Sequence, residues 1–339
     1  GANLNATTQW KLGRTSMGVE FRNEGVRSNV LGKPMKEPQD VPFEKEGQYL
    51  KSDNRSNISY FLEHNVLLRR FTLSVGVLAN YNSALNEGIH FYPGIDASYR
   101  IGDNFRLYGS WNRALRMPTF TDLYYEGKTN KGNPDLKPEE SEAFEVGLKY
   151  NTYFLRAHIA GFYRKGKNMI DWVKEKPEDI WESRNLTKVD NLGFETNLSL
   201  LPRELGNERF FIRKIELGYA FIHQDKDSEG YISNYALDYL KHKFTAQLSH
   251  SIWKGFSATW YVRWQDRAGS YTKYENLKPA YEEPYAPYCL VDMKVNWEYQ
   301  RLNLYAELNN LLNSTYYDLG NIPQPGIWFK AGFRYSFKY

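Results

Sequence analysis

The last fourteen residues, GIWFKAGFRYSFKY, alternate without a slip. Ile327, Phe329, Ala331, Phe333, Tyr335, Phe337 and Tyr339 fall on one parity. Trp328, Lys330, Gly332, Arg334, Ser336 and Lys338 fall on the other. A period of two puts one set on each face of a β-strand, so this strand has a greasy face and a wet face. It is too long, and too charged on its wet face, for an ordinary sandwich strand. Apolar-out and polar-in alternation ending in aromatics is the pattern of a strand that crosses an outer membrane in a β-barrel.

The same alternation recurs upstream. Phe105, Leu107, Gly109 and Trp111 interleave with Arg106, Tyr108, Ser110 and Asn112. Phe256, Ala258, Trp260, Val262 and Trp264 interleave with Ser257, Thr259, Tyr261, Arg263 and Gln265. Cys289, Val291, Met293, Val295, Trp297 and Tyr299 interleave with Asp292, Lys294, Asn296 and Glu298, and Leu302, Leu304, Ala306 and Leu308 with Asn303, Tyr305, Glu307 and Asn309. The whole chain parses into about fifteen such strands of roughly ten residues, the length a tilted strand needs to cross a bilayer. The fold class is therefore all-β, a transmembrane antiparallel up-and-down β-barrel. The charged set Lys330, Arg334, Asp292, Lys294 and Arg263 is expected to face the lumen. Ile327, Phe329, Phe333, Val291, Val295, Trp260 and Val262 are expected to face lipid.

Composition fits a chain whose apolar residues are diluted by alternation. Mean hydropathy is −0.67, yet 16% of the residues are aromatic, with 27 Tyr and 9 Trp. Rings with polar tips supply the girdles at both membrane interfaces. The single cysteine, Cys289, excludes an internal disulfide framework and lies on the apolar register of its strand. A net charge of +4 gives no reason to expect a nucleic-acid partner.

Connections alternate in length. Short turns are expected at 13–14, 69–70, 102–104, 151–152, 253–255 and 300–301. Long stretches are expected at 27–50, 114–138, 167–187, 225–238, 267–286 and 313–325. Short periplasmic turns and long extracellular loops are the barrel rule, and a final strand ending in the periplasm puts every long loop outside. The count is odd, whereas single-chain bacterial barrels have even numbers. Residues 1–339 are therefore read as the C-terminal portion of a barrel of roughly 22 strands, with edge strands 3–12 and 326–339 and with a plug and the first strands lying upstream. A complete porin is the alternative.

Residues 108–150 carry Arg116-Met117-Pro118-Thr119, then Leu123-Tyr124-Tyr125, then Gly132-Asn133-Pro134-Asp135-Leu136-Lys137-Pro138-Glu139, then Glu145-Val146-Gly147. This resembles the TonB-dependent outer-membrane receptor family. Asn309-Asn310-Leu311-Leu312-Asn313, Tyr316-Tyr317 and Pro325-Gly326 extend the resemblance to the end of the chain. The three prolines of the first segment stop strands and stiffen a loop, and Glu139, at the head of a strand, is placed to hold loop amides. These residues are read first as setters of loop geometry.

The resemblance implies active import of a nutrient too large for porins, with ligand held by the outer loops and the plug. It implies a TonB complex as partner, engaged through a segment at the N-terminus of the intact protein. Outer-membrane lipid and the rest of the same receptor are the other expected partners. Met169-Ile170-Asp171, Asn185 and Gly193-Phe194-Glu195 look most like cobalamin receptors, with ferric-siderophore receptors sharing most of the pattern. The loop aromatics Trp172, Tyr271, Tyr274, Tyr316 and Tyr317 are the expected ligand contacts.

No chemistry beyond binding is expected. The six histidines show no metalloprotease spacing and read as lumen or loop polar groups. No nucleophile elbow or phosphate loop occurs, so the chain is not read as an enzyme, and no cofactor is expected. Asp225-Lys226-Asp227-Ser228-Glu229-Gly230 imitates the start of a calcium loop, but the bidentate twelfth position would be Ala236, so no metal site is assigned.

Overall fold

In the computed structural model the described residues are 1–85, 88–176, 178–206, 209–227, 230–233, 239–276, 278–320 and 322–337, with the side chains of residues 187, 227, 279 and 319 excepted. One sheet of 18 strands dominates, antiparallel except where the short strand Asn130–Lys131 pairs parallel with Trp181 and Glu182. Three of them are short additions at one end: Lys33–Asp40, Asn130–Lys131 and Ile232–Ser233. The other fifteen are β1 (Ala2–Trp10), β2 (Gly13–Ser28), β3 (Gln48–Leu67), β4 (Phe71–Asn82), β5 (Ile89–Ile101), β6 (Phe105–Arg116), β7 (Glu139–Asn151), β8 (Leu155–Lys174), β9 (Trp181–Leu200), β10 (Ile212–Asp227), β11 (Leu240–Trp253), β12 (Phe256–Arg267), β13 (Tyr288–Tyr299), β14 (Leu302–Asn309) and β15 (Trp328–Tyr335). Each pairs with its neighbour in sequence. Among the described residues β1 pairs only with β2 and β15 only with β14, so these are the edges, as the sequence led us to expect.

Alternation fixes the register because a one-residue slip would invert every side chain. Val262 pairs with Val291, Val295 with Ala306, and Phe329 with Leu308. On the opposite face Lys294 pairs with Glu307 and Glu307 with Lys330, and the ions meet at 2.7 and 2.5 Å. The two expected sets thus fall on opposite faces. A cavity of about 630 Å³ is lined from seven consecutive strands, β7 to β13, and holds Lys149, Arg156, His158, Arg263 and Asp292. The polar face is therefore the concave one, as a barrel lumen requires. The apolar face is open, with Val146 63% and Leu192 55% accessible. Cys289 lies on it opposite Trp264.

Aromatic rings on the polar face lie over glycines. Phe61, Tyr108, Phe162 and Tyr305 are the direct cross-strand partners of Gly18, Gly147, Gly193 and Gly332. A Cβ on any of the four glycines would strike the ring opposite. An aromatic covering a strand glycine restores the packing that the missing side chain gives up.

The connections segregate into a turn end and a loop end. Residues 11–12, 68–70, 102–104, 152–154, 201–211, 254–255 and 300–301 join strands at the turn end. Gly13 opens β2 at φ 136, where a Cβ would overlap the Asn65 carbonyl on β3, so the first hairpin requires glycine. Two expectations are corrected. Residues 167–187 are not a long loop, because β8 and β9 are 20 residues each and stay paired out to Val173 and Glu182. At about 3.3 Å per residue such strands run far past a hydrocarbon core, and the connection shrinks to residues 175–180. At the turn end, residues 201–211 form a longer connection containing a 3-10 turn, Pro202–Leu205.

Candidate ligand-binding rim at the loop end

The loop between β6 and β7 shapes the rim. Thr119 caps the short helix α1 (Phe120–Tyr124) in a reciprocal capping box with Asp122. Arg116, the last residue of β6, clamps Glu139, the first of β7, through two hydrogen bonds of 2.5 and 2.6 Å. The same carboxylate accepts the Ile170 amide at 2.8 Å. Glu139 therefore holds an amide of strand β8 rather than the loop amide expected, and ties three strands together. Asn185 donates to the carbonyls of Lys137 and Asn168 and accepts from the Lys137 amide. The loop then reaches across the concave face. Arg55 of β3 donates to the Pro118 carbonyl at 2.6 Å, pairs with Glu24 at 2.7 Å and sits 5.0 Å from the centre of the Phe120 ring. Tyr124 donates to Asp53 at 2.5 Å. Burial, then that hydrogen bond, push the Tyr124 phenol up to about 12.

A second module joins the last two loops. Ser270–Glu275 and Lys278–Pro284 form a hairpin that stands apart from the main sheet. Its Tyr271 is buried and stacks on Tyr317 at 5.6 Å, with Tyr285 5.1 Å away. Lys273 pairs with Glu283 at 2.9 Å and faces the Tyr271 and Tyr317 rings. The lysine's hydrogen bond lowers the Glu283 carboxyl, the carboxylate raises the lysine in return, and burial raises the Tyr271 phenol. Tyr316 packs on Tyr288, whose hydroxyl lies within hydrogen-bond distance of the Asp318 carboxylate and the Gln265 side chain. Asn310 holds the final loop. At φ 51 it bonds Asp292, Ser314 and Pro325, while Asn313 at φ 49 accepts the Ile327 amide. Asparagine tolerates the left-handed region better than other side-chain-bearing residues, which accounts for the asparagines of that motif.

Of the five aromatics expected at the ligand, Tyr271 and Tyr317 touch, and Tyr316 lies against Tyr288 on β13. Tyr274 is exposed on the same hairpin. Trp172 is elsewhere, on the outer part of β8, edge-on to Tyr125 at 6.4 Å. Sequence reasoning did not single out Arg55, Asp53 or Tyr288, which sit on strands and carry no motif. It also passed over the cations against rings: Lys174 on Trp181, Arg184 on Tyr231 and Arg267 on Tyr285. The histidine reading is corrected in part. His158 is on the polar face, bonded to Tyr108. His64, His242 and His250 are on the apolar face near strand ends, against Trp10, Phe221 and Trp260. There an interfacial ring environment accepts a polar tip. Asp225 pairs with Lys188 at 3.1 Å, and Ser228, Glu229 and Ala236 of the calcium-like stretch lie outside the described residues.

An antiparallel sheet with a wet concave face, a greasy convex face and its long loops gathered over one end defines an outer-membrane transport barrel. The chain belongs to the TonB dependent receptor-like β-barrel family, whose profile matches residues 1–311, a family of transport receptors rather than enzymes. It is 26% identical to a vitamin B12 transporter, BtuB, of Vibrio vulnificus over 50% of this chain and 36% of that protein. It is 22% identical to the ferrienterobactin receptor of Escherichia coli over 79% of this chain and 38% of that one. Among solved structures, the ferric enterobactin receptor PfeA of Pseudomonas aeruginosa superposes with a TM-score of 0.74 at 18% identity, over 99% of this chain and 53% of that one. The chain thus spans about a third of the curated relatives it matches and about half of the solved chains.

Proposed function

We propose that the chain forms the C-terminal portion of a receptor for TonB-coupled uptake of cobalamin, with the long loops outside the cell. The supporting observation is the rim itself. Its loops are cross-tied by buried polar contacts, and they carry amphipathic rings at the mouth of a polar lumen. A bulky, largely uncharged ligand needs several such anchors at once. Similarity to two vitamin B12 transporters favours this ligand. Tyr274, Trp172 and Tyr316 supply contact area, Tyr317 contributes its edge, and the buried Tyr271 fixes the hairpin that presents Tyr274. The plug and the TonB-engaging segment belong to the part of the receptor upstream of these residues.

A second reading, a ferric siderophore, is favoured by one observation: Lys174, Arg184, Arg267 and Lys273 all lie against rim aromatics. Such pairs would receive an anionic iron chelate. Binding of cobalamin and of ferric siderophores to the whole receptor in detergent decides between them. Tight cobalamin binding that weakens about tenfold or more in Trp172→Ala plus Tyr274→Ala, a loss of about 1.4 kcal/mol, supports the first reading. Tight siderophore binding without cobalamin binding moves the ligand to the second. Cobalamin binding that ignores both substitutions removes these residues from the site.

A further inference from the structure

Toward the loop end, the apolar convex face gives way to charge without a change of parity. The apolar band closes on a row of direct cross-strand partners, Trp111, Phe144, Tyr163 and Leu192 of β6 to β9. The next row out on the same parity is Arg113, Glu142, Lys165 and Asp190, again each the direct partner of the one before. Glu140, Lys167 and Lys188 follow one step further. The register turns all of these away from the concave face.

The carboxylates of these rows are already engaged. Glu142 accepts the Trp111 indole N–H at 2.9 Å, and Glu140 meets Arg113 at 3.4 Å. Asp190 is buried, accepts the Tyr163 hydroxyl at 2.8 Å and pairs with Lys188, which also reaches Asp225 at 3.1 Å. Ring bodies in the apolar band with their polar tips bonded toward the loop end mark the level where hydrocarbon yields to headgroups. Lys165 and Lys167 stand out. Both are exposed, and neither has an ion-pair partner among the described residues, although the register sets Glu142 and Asp190 beside Lys165. They project from one strand about 7 Å apart, so their fields add.

We propose that Lys165 and Lys167 seat the phosphate of a lipid headgroup in the leaflet beside the loop end, with Arg113 and Lys188 at its flanks. Continuity selects a lipid. Directly below the two lysines on β8 the same parity carries Tyr163 and Ile159, both exposed, where acyl chains attached to the headgroup would lie. Charge selects a phosphate. Two ammoniums offer it charge-assisted hydrogen bonds, the stronger kind. The nearby acids leave the seat positive because Trp111, Tyr163, Arg113 and Lys188 already supply their donors. The proposal rests on the reading that the long loops lie outside the cell, which makes this leaflet the outer one.

The test uses the whole receptor, stripped of lipid in detergent and titrated with diphosphoryl lipid A, with retention read by native mass spectrometry. Lys165→Gln plus Lys167→Gln should weaken retention about tenfold or more relative to wild type. Lys165→Arg plus Lys167→Arg should keep it. Lys165→Gln alone should show a smaller loss and serves if the double variant fails to fold. Retention unchanged in the glutamine variants overturns the proposal. So does inorganic phosphate that competes as well as the lipid does, since a headgroup seat needs the chains below it. Lysine-dependent retention of phosphatidylglycerol in preference to lipid A would overturn the outward placement of the loops beneath the proposal, a result distinct from the other two.

Discussion

Glu139 is the residue on which the rim turns. It is buried, clamped by Arg116 and bonded to the Ile170 amide, so three strands share one carboxylate. Glu139→Gln keeps the shape, removes the charge and leaves Arg116 with a weaker partner. We expect a loss of about 2 kcal/mol, seen as a lower midpoint for thermal unfolding of the whole receptor, with the rim affected first in hydrogen exchange. On the opposite face of the sheet, Val295→Arg would put a cation among apolar neighbours. If Val295 lies near the midplane, the cost is about 2–4 kcal/mol, measurable by unfolding in lipid. Arginine at Lys294, one residue away, should be nearly neutral because that parity faces the lumen.

Elements were legible in proportion to their periodicity. The fifteen long strands and their faces could be read from residues such as Val291 through Tyr299, because alternation is a local signal and the membrane enforces it over a whole strand. Length beyond the membrane was not legible. The outer parts of β8 and β9 include Asn168 at φ 53 and the polar run Glu182, Ser183, Arg184, Asn185, which looks like loop although the ladder continues. The rim aromatics could be named but not sorted, since burial of Tyr271 and exposure of Tyr274 follow from how two loops meet. The hairpin 270–284 carries its own pH dependence. The Glu283 carboxyl is lowered by Lys273, so its contribution is present above the ordinary carboxylate value and is lost as pH falls through the depressed folded value. Amide protection of the hairpin, followed by hydrogen exchange from neutral to acid pH, should drop only below the ordinary Glu range. A decline that begins nearer pH 6 would point to another group.

At the scale of the whole molecule, the sheet formed by the described residues has two unpaired edges, β1 and β15. Backbone groups left unsatisfied in hydrocarbon cost several kcal/mol each, and an open edge in water is a template for pairing. These 339 residues produced alone should therefore self-associate edge to edge. Size exclusion in detergent would show assemblies rather than a monomer, and a Pro in the middle of β15 would shift them toward smaller species.

The rings laid over glycines set the relief of the concave face. A ring standing up from the wall is an obstacle that must swing aside for anything passing it. A ring lying across a bare stretch of backbone adds apolar contact without adding relief. Tyr108 is moored in that posture by its hydroxyl, bonded to Glu145 and His158 at 2.7 Å each. The concave wall is smoothed at Gly18, Gly147, Gly193 and Gly332 much as plaster fills the joints of masonry. Giving Gly147 a side chain would lift one tile, and in the whole receptor, acting as proposed above, ligand uptake by cells should slow before the unfolding midpoint falls.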